Sequence, residues 1–156
     1  MLRDMKLYLV RHGKAKSVAE DPFRPLTDDG VNEARKLADY LKRIKAKIKK
    51  IYHSGKLRAR QTAEIIAEKL GAELKSADGL NPGDEPWIWA ARLSEIDEDI
   101  MLIGHLPHLE RLAALLLVDD PDSGIIQLKT CGLAILERDE IGQWRLMLLI
   151  SPDSLP

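Results

Sequence analysis

Two histidines and two arginines, widely separated in the chain, are the residues best suited to do chemistry together. Arg11 and His12 follow directly on a short apolar run that is typical of a buried strand. Gly13 comes next and, because it lacks a Cβ, lets the chain bend sharply and an anion approach the backbone. Arg58 falls in the first turns of a predicted helix, where free amides also favour an anion. His105 follows a second apolar run.

Two imidazoles and two guanidinium groups describe a site for a dense anion, and phosphate fits the forked donors of arginine best. A neutral imidazole is also a competent nucleophile towards phosphorus. One of the two histidines could take a phosphoryl group as a covalent phosphohistidine and pass it to water, which divides one hard displacement into two easier ones. The remaining cations would hold the equatorial oxygens as charge spreads in the transition state.

The elements that must position these side chains can be predicted from the pattern of apolar residues. Apolar runs at 8–10, 51–53 and 99–103 predict strands. Four helices are predicted between and after these strands: from Thr27 or Asp28 through an apolar stripe ending at Ile48, from Lys56 to Leu70, from Pro86, and from Pro107 to Asp119. Residues 132–137 and 144–150 predict a hairpin that completes the sheet.

This alternation of strands and helices predicts an α/β fold with a mainly parallel sheet covered on both faces and an antiparallel pair at one side. In open sheets of this kind ligands bind at the carboxyl ends of the strands. The two histidines and both arginines are expected at that edge.

Three other parts of the chain carry structural expectations. We expect Cys131 to be a strand residue packed inside, the run of basic residues at 42–50 to form a solvated helix face, and residues 151–156 to be a loose tail.

Length and composition exclude several classes of protein. The chain has 156 residues, which predicts a single domain over residues 1–156. With 24 basic and 25 acidic residues the net charge is −1, so we expect no nucleic-acid partner and no membrane surface. One cysteine suits a reducing compartment, and the first residues hold too few apolar side chains for a signal peptide or a membrane span. We therefore expect a cytoplasmic protein.

Three segments together resemble a known family. They are Leu-Val-Arg-His-Gly at 9–13, Leu-Arg-Ala-Arg-Gln-Thr-Ala-Glu at 57–64 and Gly-His-Leu-Pro at 104–107. In these segments the chain resembles the histidine phosphatase superfamily, which has the phosphoglycerate mutase-like α/β/α fold. Its short length, together with Arg-Pro-Leu-Thr-Asp-Asp-Gly at 24–30 and Leu-Asn-Pro at 80–82, most resembles the SixA-type phosphohistidine phosphatase branch. The resemblance implies that His12 is the phosphorylated nucleophile, that Arg11 and Arg58 bind phosphoryl oxygens, and that His105 contacts the phosphoryl group from the opposite side.

The sequence departs from the mutases of this superfamily in one respect that bears on the substrate. They usually carry a glutamate-containing segment and a long helical insertion that covers the site, whereas this chain has a short loop and one short helix, so an open pocket is expected. Asp84 and Glu85 are the best candidates for a general acid, although both also suit an ordinary polar loop. Lys14, Ser17 and Arg24 are candidates for binding substrate at the entrance.

Three functions remain open at this point. The first is a phosphatase acting on phosphohistidine in a protein such as a histidine phosphotransfer domain, because imidazole leaves readily once protonated. The second is a phosphomonoesterase for a small phosphorylated metabolite, which would need Asp84 or Glu85 as its acid. The third is a phosphate-binding adaptor without turnover. No cofactor is implied, and no metal site, because His105 and His108 have no carboxylate or cysteine partner at ligand spacing.

Overall fold

A six-stranded sheet forms the centre of the protein in the computed structural model, which describes residues 3–156. Its strands, in chain order, are β1 (Met5–Arg11), β2 (Lys50–His53), β3 (Glu73–Ser76), β4 (Ile100–Gly104), β5 (Leu133–Arg138) and β6 (Trp144–Ile150). The order across the sheet is β3-β2-β4-β1-β5-β6. The strands from β3 to β1 are parallel, while β5 and β6 pair antiparallel as the C-terminal hairpin, as predicted.

Four α-helices cover the two faces of this sheet. They are α1 (Asp28–Arg43), α2 (Leu57–Leu70), α3 (Trp87–Leu93) and α4 (His108–Val118). Strand β1 alternates between the two cores, because Tyr8 and Val10 pack with α1 and α2 while Leu7 and Leu9 pack with α3 and α4. The predicted three-layer α/β/α sandwich with a mainly parallel sheet is therefore confirmed. No helix within residues 3–156 is long and apolar enough to cross a membrane.

The helix ends follow the local chemistry of the sequence. The Thr27 side chain accepts a hydrogen bond from the backbone N–H of Gly30 at 3.0 Å and so caps α1. Gly71 ends α2 in the left-handed conformation with φ of 67°. Asp119 ends α4 in the same region with φ of 58°, which an aspartate tolerates better than most residues.

Two predictions about the α1 and β3 regions were wrong. Helix α1 ends at Arg43, so Lys45, Lys47 and Lys49 lie in the connection to β2 and do not form a helix face. Ile48 belongs to the same connection but is still buried, which explains why its spacing imitated a helix. Strand β3 was not predicted, because three of its four residues are exposed at the sheet edge and give no apolar signal.

Two further predictions were wrong near the C-terminus. Cys131 is buried as expected, yet it precedes β5 in a turn with φ of 51°, and its N–H donates to the Arg11 carbonyl at 2.9 Å. Burial raises the pKa of its thiol, which makes it a poor nucleophile. The last residues are not loose, since a 3-10 turn at Pro152–Ser154 buries Pro152 and Leu155 and an ion pair joins Asp153 to Lys129 at 3.2 Å.

Candidate active site

The register of two central strands places the two candidate histidines beside each other. Arg11, the last residue of β1, pairs with Gly104, the last residue of β4. His12 and His105 follow these residues, and the His12 N–H donates to the Gly104 carbonyl at 3.0 Å. The two imidazole rings have centroids 5.1 Å apart, and both side chains are buried. The carboxyl edge of the sheet therefore brings together residues that are 93 positions apart, as the sequence predicts.

His12 is held in a single tautomer that leaves one nitrogen free. Its Nδ1 lies 2.7 Å from the carbonyl oxygen of Gly13, which can only accept a hydrogen bond, so Nδ1 carries the proton. Burial, and then the cations Arg58, Arg11 and Arg24, lower the pKa of His12 to about 4 against the opposing effect of this hydrogen bond. The ring is therefore neutral near pH 7, with the Nε2 lone pair available to attack an electrophile.

The turn after His12 is fixed to the first turn of α2 through a buried threonine. The N–H of Gly13 donates to Thr62 Oγ1 at 3.0 Å, and this hydroxyl donates to the carbonyl of Arg58 at 2.8 Å. A Cβ on residue 13 would lie 2.9 Å from the carbonyl oxygen of Gly30, so the close approach of α1 requires glycine. The histidine turn and the helix carrying Arg58 thus have a defined separation.

Both candidate arginines keep donors that the rest of the protein does not use. Arg11 donates from Nη1 to the carbonyl of Leu128 at 3.0 Å. Among residues 3–156, the buried Nε of Arg11 and the buried Nε of Arg58 find no hydrogen-bond partner. Burial and the nearby Arg24 lower the pKa of Arg58, which still leaves it a cation at neutral pH. Unused guanidinium donors beside a neutral imidazole can bind an anion such as phosphate.

The two ring nitrogens of His105 differ in their hydrogen bonding. Nε2 lies 2.6 Å from the hydroxyl oxygen of Ser54, which directly follows β2. Nδ1 is buried and has no hydrogen-bond partner within the described part of the chain. Burial is the largest cause, followed by the nearby His12, Arg58, Lys56 and His108, and together they lower the pKa of His105 to about 3. This second imidazole is also neutral near pH 7.

The predicted entrance residues differ in how closely they approach the histidines. Arg24 has a left-handed φ of 49°, donates from Nε to the Lys16 carbonyl at 3.0 Å, and is close enough to lower the pKa of His12 and of Arg58. The side chain of Lys14 is exposed. The Ser17 hydroxyl donates to the carboxylate of Glu20 at 3.1 Å, so it serves its own turn and is not brought to the imidazoles.

The two candidate acids lie in the loop before α3. Asp84 is half-buried, and its Oδ2 accepts the N–H of Asn81 at 2.9 Å, which ties the loop to itself. Glu85 is exposed. The loop borders the site through Leu80, whose carbonyl oxygen lies 3.3 Å from the position that a Cβ on Gly104 would take. Neither carboxylate forms a hydrogen bond to an imidazole of the site.

Sequence reasoning missed two residues that contact the candidate catalytic groups, Ser54 and Thr62. The available signals were the position of Ser54 at a strand end and of Thr62 one helical turn after Arg58. The Nδ1 of His53 accepts the N–H of Gly55 at 3.0 Å, so this ring stabilises the turn after β2. No group of three or more metal-ligating side chains occurs among residues 3–156.

The surface beside Arg58 is open. A shallow groove of about 430 Å³ is lined by Pro22, Phe23, Gly55, Lys56, Leu57, Arg58 and Arg60. Phe23 is 77% exposed, a high value for a phenylalanine, and nothing in the described chain packs over it. Arg60 is exposed and pairs with Glu64 at 3.4 Å, so Arg58 alone of these two arginines is directed to the site, as the helical period predicts.

The fold and the four side chains at its carboxyl edge define a class of protein. Residues 7–83 match the family model described as histidine phosphatase superfamily, branch 1. The fold matches that of a phosphoglycerate mutase from Plasmodium falciparum with a TM-score of 0.72 at 24% identity, over 94% of this chain and 90% of that one. The chain belongs to the histidine phosphatase superfamily, because it matches this family model and is 30% identical to a phosphatase over nearly its whole length, and both matches support a phosphatase.

Within that superfamily the chain is similar to phosphohistidine phosphatases. It is 30% identical to the phosphohistidine phosphatase SixA of Escherichia coli strain K12, in an alignment that covers 97% of this chain and 96% of that protein. It also matches the solved structure of the protein histidine phosphatase SixA complexed with tungstate, with a TM-score of 0.85 and 30% identity over 96% of this chain and 99% of that one. The similarity therefore extends over nearly the whole chain.

Proposed function

We propose that this protein is a phosphohistidine phosphatase that works through a covalent phosphohistidine on His12. The observation that carries the proposal is the neutral His12 ring, anchored through Nδ1 to Gly13, with Nε2 left free beside arginine donors that have no other partner. In the first step Nε2 attacks phosphorus and the phosphorus–nitrogen bond of the substrate breaks. In the second step water attacks phosphorus, inorganic phosphate leaves, and Nε2 regains its lone pair.

The cations of the site would supply the electrostatic part of catalysis. Arg58 and Arg11 would donate to the equatorial oxygens, where charge spreads in the transition state. His105 would donate from the opposite side. Arg24 is the one entrance residue whose charge reaches His12, so we assign it to substrate binding, with Lys14 as an exposed cation further out and Ser17 as the weakest candidate.

The leaving group is the main reason to prefer phosphohistidine over a phosphate ester. Imidazole has a pKa of about 6.5 and departs easily once protonated, whereas an alkoxide needs a placed acid that contributes roughly 10² to 10⁴ in rate. The carboxylate of Asp84 accepts a hydrogen bond from the backbone of its own loop, and Glu85 is exposed. Neither side chain is therefore positioned to protonate a leaving group.

The open groove beside Arg58 favours a protein substrate. A small metabolite is usually enclosed, while an exposed Phe23 next to Lys56 and Arg60 offers apolar and cationic contacts to a larger partner. The SixA structure that this chain matches is of a protein histidine phosphatase. A phosphorylated histidine phosphotransfer domain, in a signalling or phosphotransfer pathway, is the partner that we propose.

A phosphomonoesterase for a small phosphorylated metabolite is the second candidate. The loop that carries Asp84 and Glu85 adjoins the end of β4, where the Leu80 carbonyl lies close to Gly104, so both carboxylates belong to a loop next to His105. The double variant Asp84→Asn, Glu85→Gln tests this function. Unchanged turnover of phosphate esters would remove both residues as the acid, and a fall of tenfold or more would support the esterase.

The deciding experiment compares phosphate release from a phosphohistidine protein or peptide and from a panel of phosphate esters. We expect His12→Ala to abolish release and wild type to prefer the phosphohistidine. Arg58→Ala should lower kcat/KM by about 10²- to 10³-fold, the usual effect of losing an oxyanion donor. Lys69→Ala is the control at the other end of the same helix and should stay within about twofold, because its ion pair with Asp39 is exposed and contributes little.

The other outcomes would each support a different function. A His12-dependent preference for one ester would replace the proposed function with the esterase. Binding of inorganic phosphate without release from any substrate, and without an acid-labile phosphoryl adduct on His12, would support the non-catalytic adaptor.

A further inference from the structure

Among residues 3–156, Ser54 is the one side chain that forms a hydrogen bond with the ring of His105. It was not among the residues predicted for the site. Its Oγ lies 2.6 Å from His105 Nε2. The same oxygen accepts the backbone N–H of Lys56 at 3.3 Å, at the point where the chain enters α2. Ser54 therefore connects the end of β2, the start of α2 and the second imidazole of the site.

The acceptors around the Ser54 hydroxyl favour one arrangement of protons in this contact. A serine hydroxyl has one proton to donate and two lone pairs that accept, and one lone pair of Ser54 receives the N–H of Lys56. The acceptor that the structure offers to that proton is His105 Nε2. A ring nitrogen that accepts a hydrogen bond carries no proton, and because the buried ring is neutral its single N–H must then be at Nδ1.

The remaining nitrogen of His105 is an unused polar group in a buried position. The side chain is 1% exposed, and Nδ1 finds no partner in residues 3–156. A buried donor without a partner costs about 1–3 kcal/mol, which is tolerated where a ligand completes the bonding. The ring of His12 is 5.1 Å away between centroids, so a phosphoryl group on His12 would lie within the reach of the second ring.

We infer that Ser54 is a positioning residue that selects the Nδ1-protonated tautomer of His105, so that Nδ1–H is presented to a phosphoryl oxygen. This inference deepens the proposed function and rests on it for the identity of the group that Nδ1–H contacts. In the other tautomer an Nδ1 lone pair would meet the oxygen and repel it. Ser54 itself does not touch the substrate, and it acts through the imidazole.

The test combines a spectroscopic measurement with steady-state kinetics on three forms of the full chain. Long-range ¹H–¹⁵N correlation NMR on protein labelled at histidine nitrogen reports which nitrogen of His105 carries the proton, with and without inorganic phosphate. In wild type we expect Nδ1 protonated and Nε2 bare. Ser54→Ala should lose this preference and lower kcat about 10- to 10²-fold with KM changed less than about threefold, while Ser54→Thr, which keeps the hydroxyl, should retain both properties.

Four results would overturn the inference. The first is a wild-type His105 that is protonated at Nε2. The other three concern Ser54→Ala: it keeps both the tautomer and kcat, it loses kcat but keeps the tautomer, or it changes the tautomer but keeps full kcat. Should Ser54→Ala fail to fold, the wild-type spectrum and Ser54→Thr still decide the tautomer. Failure of the proposed function is distinguishable, since wild type would then release no phosphate from phosphohistidine whatever the spectrum shows.

Discussion

The histidines of the site lie among cations, and their protonation is set mainly by burial. Both His12 and His105 have pKa values below the ordinary value of about 6.5, and burial is the largest cause in each. Arg58 adds to the effect, because it makes a second positive charge unfavourable. A nucleophilic imidazole must be unprotonated, so this environment keeps His12 reactive at pH values where a free histidine would be largely charged.

This environment predicts an unusual pH dependence. Because the pKa of His12 is lowered to about 4, its ring stays neutral down to that pH and becomes protonated only below it. We expect kcat/KM to be level between pH 5 and 8 with respect to this group, and an NMR titration of the His12 nitrogens to have its midpoint near pH 4. Rates should be corrected for spontaneous hydrolysis of the substrate. A midpoint near pH 6.5, with kcat/KM falling below it, would contradict the burial argument.

The residues that carry charge were predictable from the sequence, and those that orient them were not. Arg11, His12, Arg58 and His105 each follow a strand end or open a helix, and these positions can be predicted from apolar runs. Ser54 and Thr62 act through single hydrogen bonds whose partners are set by tertiary packing. A serine after a strand and a threonine within a helix are too common to single out.

At the scale of elements, the units that contain an apolar run were predictable, including the mostly exposed β6, and those without such a run were not. Strands β1 and β4 are apolar at most positions, because a central strand is buried on both faces. Strand β3 and the turn at Cys131 depend on pairing and on a left-handed φ that no local pattern indicates. The buried end of the chain was missed for a similar reason, since Pro152 and Leu155 are isolated within a polar stretch.

The link between the histidine turn and α2 predicts a specific effect of Thr62. Thr62→Val keeps the shape but removes the acceptor of the Gly13 N–H and the donor to the Arg58 carbonyl. A buried N–H left unpaired costs about 1–3 kcal/mol, so unfolding in urea should show a loss of that size. We also expect kcat to fall about tenfold, because the distance between His12 and Arg58 is no longer fixed.

The control for this link is Thr62→Ser, which keeps the hydroxyl and loses only a methyl group. It should retain kcat within about threefold. A loss of kcat in the serine variant, with the valine variant unaffected, would show that packing of the methyl group, and not the hydrogen bond to Gly13, holds the turn.

At the scale of the whole molecule, the sheet separates two cores, and the candidate active site lies at the carboxyl edge of this sheet. One core lies under α1 and α2 and the other under α3 and α4. Four histidines, all buried, lie at or near this edge: His12, His53, His105 and His108. Burial lowers the pKa of each of them. The same burial that keeps His12, the proposed nucleophile, neutral therefore couples the stability of the fold to pH.

His108, at the start of α4, allows this coupling to be measured outside the catalytic groups. It is fully buried, and neither ring nitrogen has a hydrogen-bond partner among residues 3–156. Burial lowers its pKa to about 4; the carboxylate of Asp84 opposes the shift and Arg111 adds to it. In the unfolded chain its pKa returns to about 6.5. Between these two values the unfolded state binds more protons than the folded state, so the free energy of unfolding must fall as the pH falls.

The predicted slope from His108 alone is about 1.4 kcal/mol per pH unit within this window and zero above pH 6.5, where both states are neutral. His108→Leu removes this titration and keeps a similar volume against the neighbouring leucines of α4. We expect urea denaturation at pH 7, 6 and 5 to show that wild type loses about 2 kcal/mol relative to the variant between pH 6.5 and 5. Because His12, His53, His105 and the carboxylates titrate in both proteins, the difference isolates His108. Parallel curves for the two proteins would mean that His108 has an ordinary pKa and that water reaches its ring.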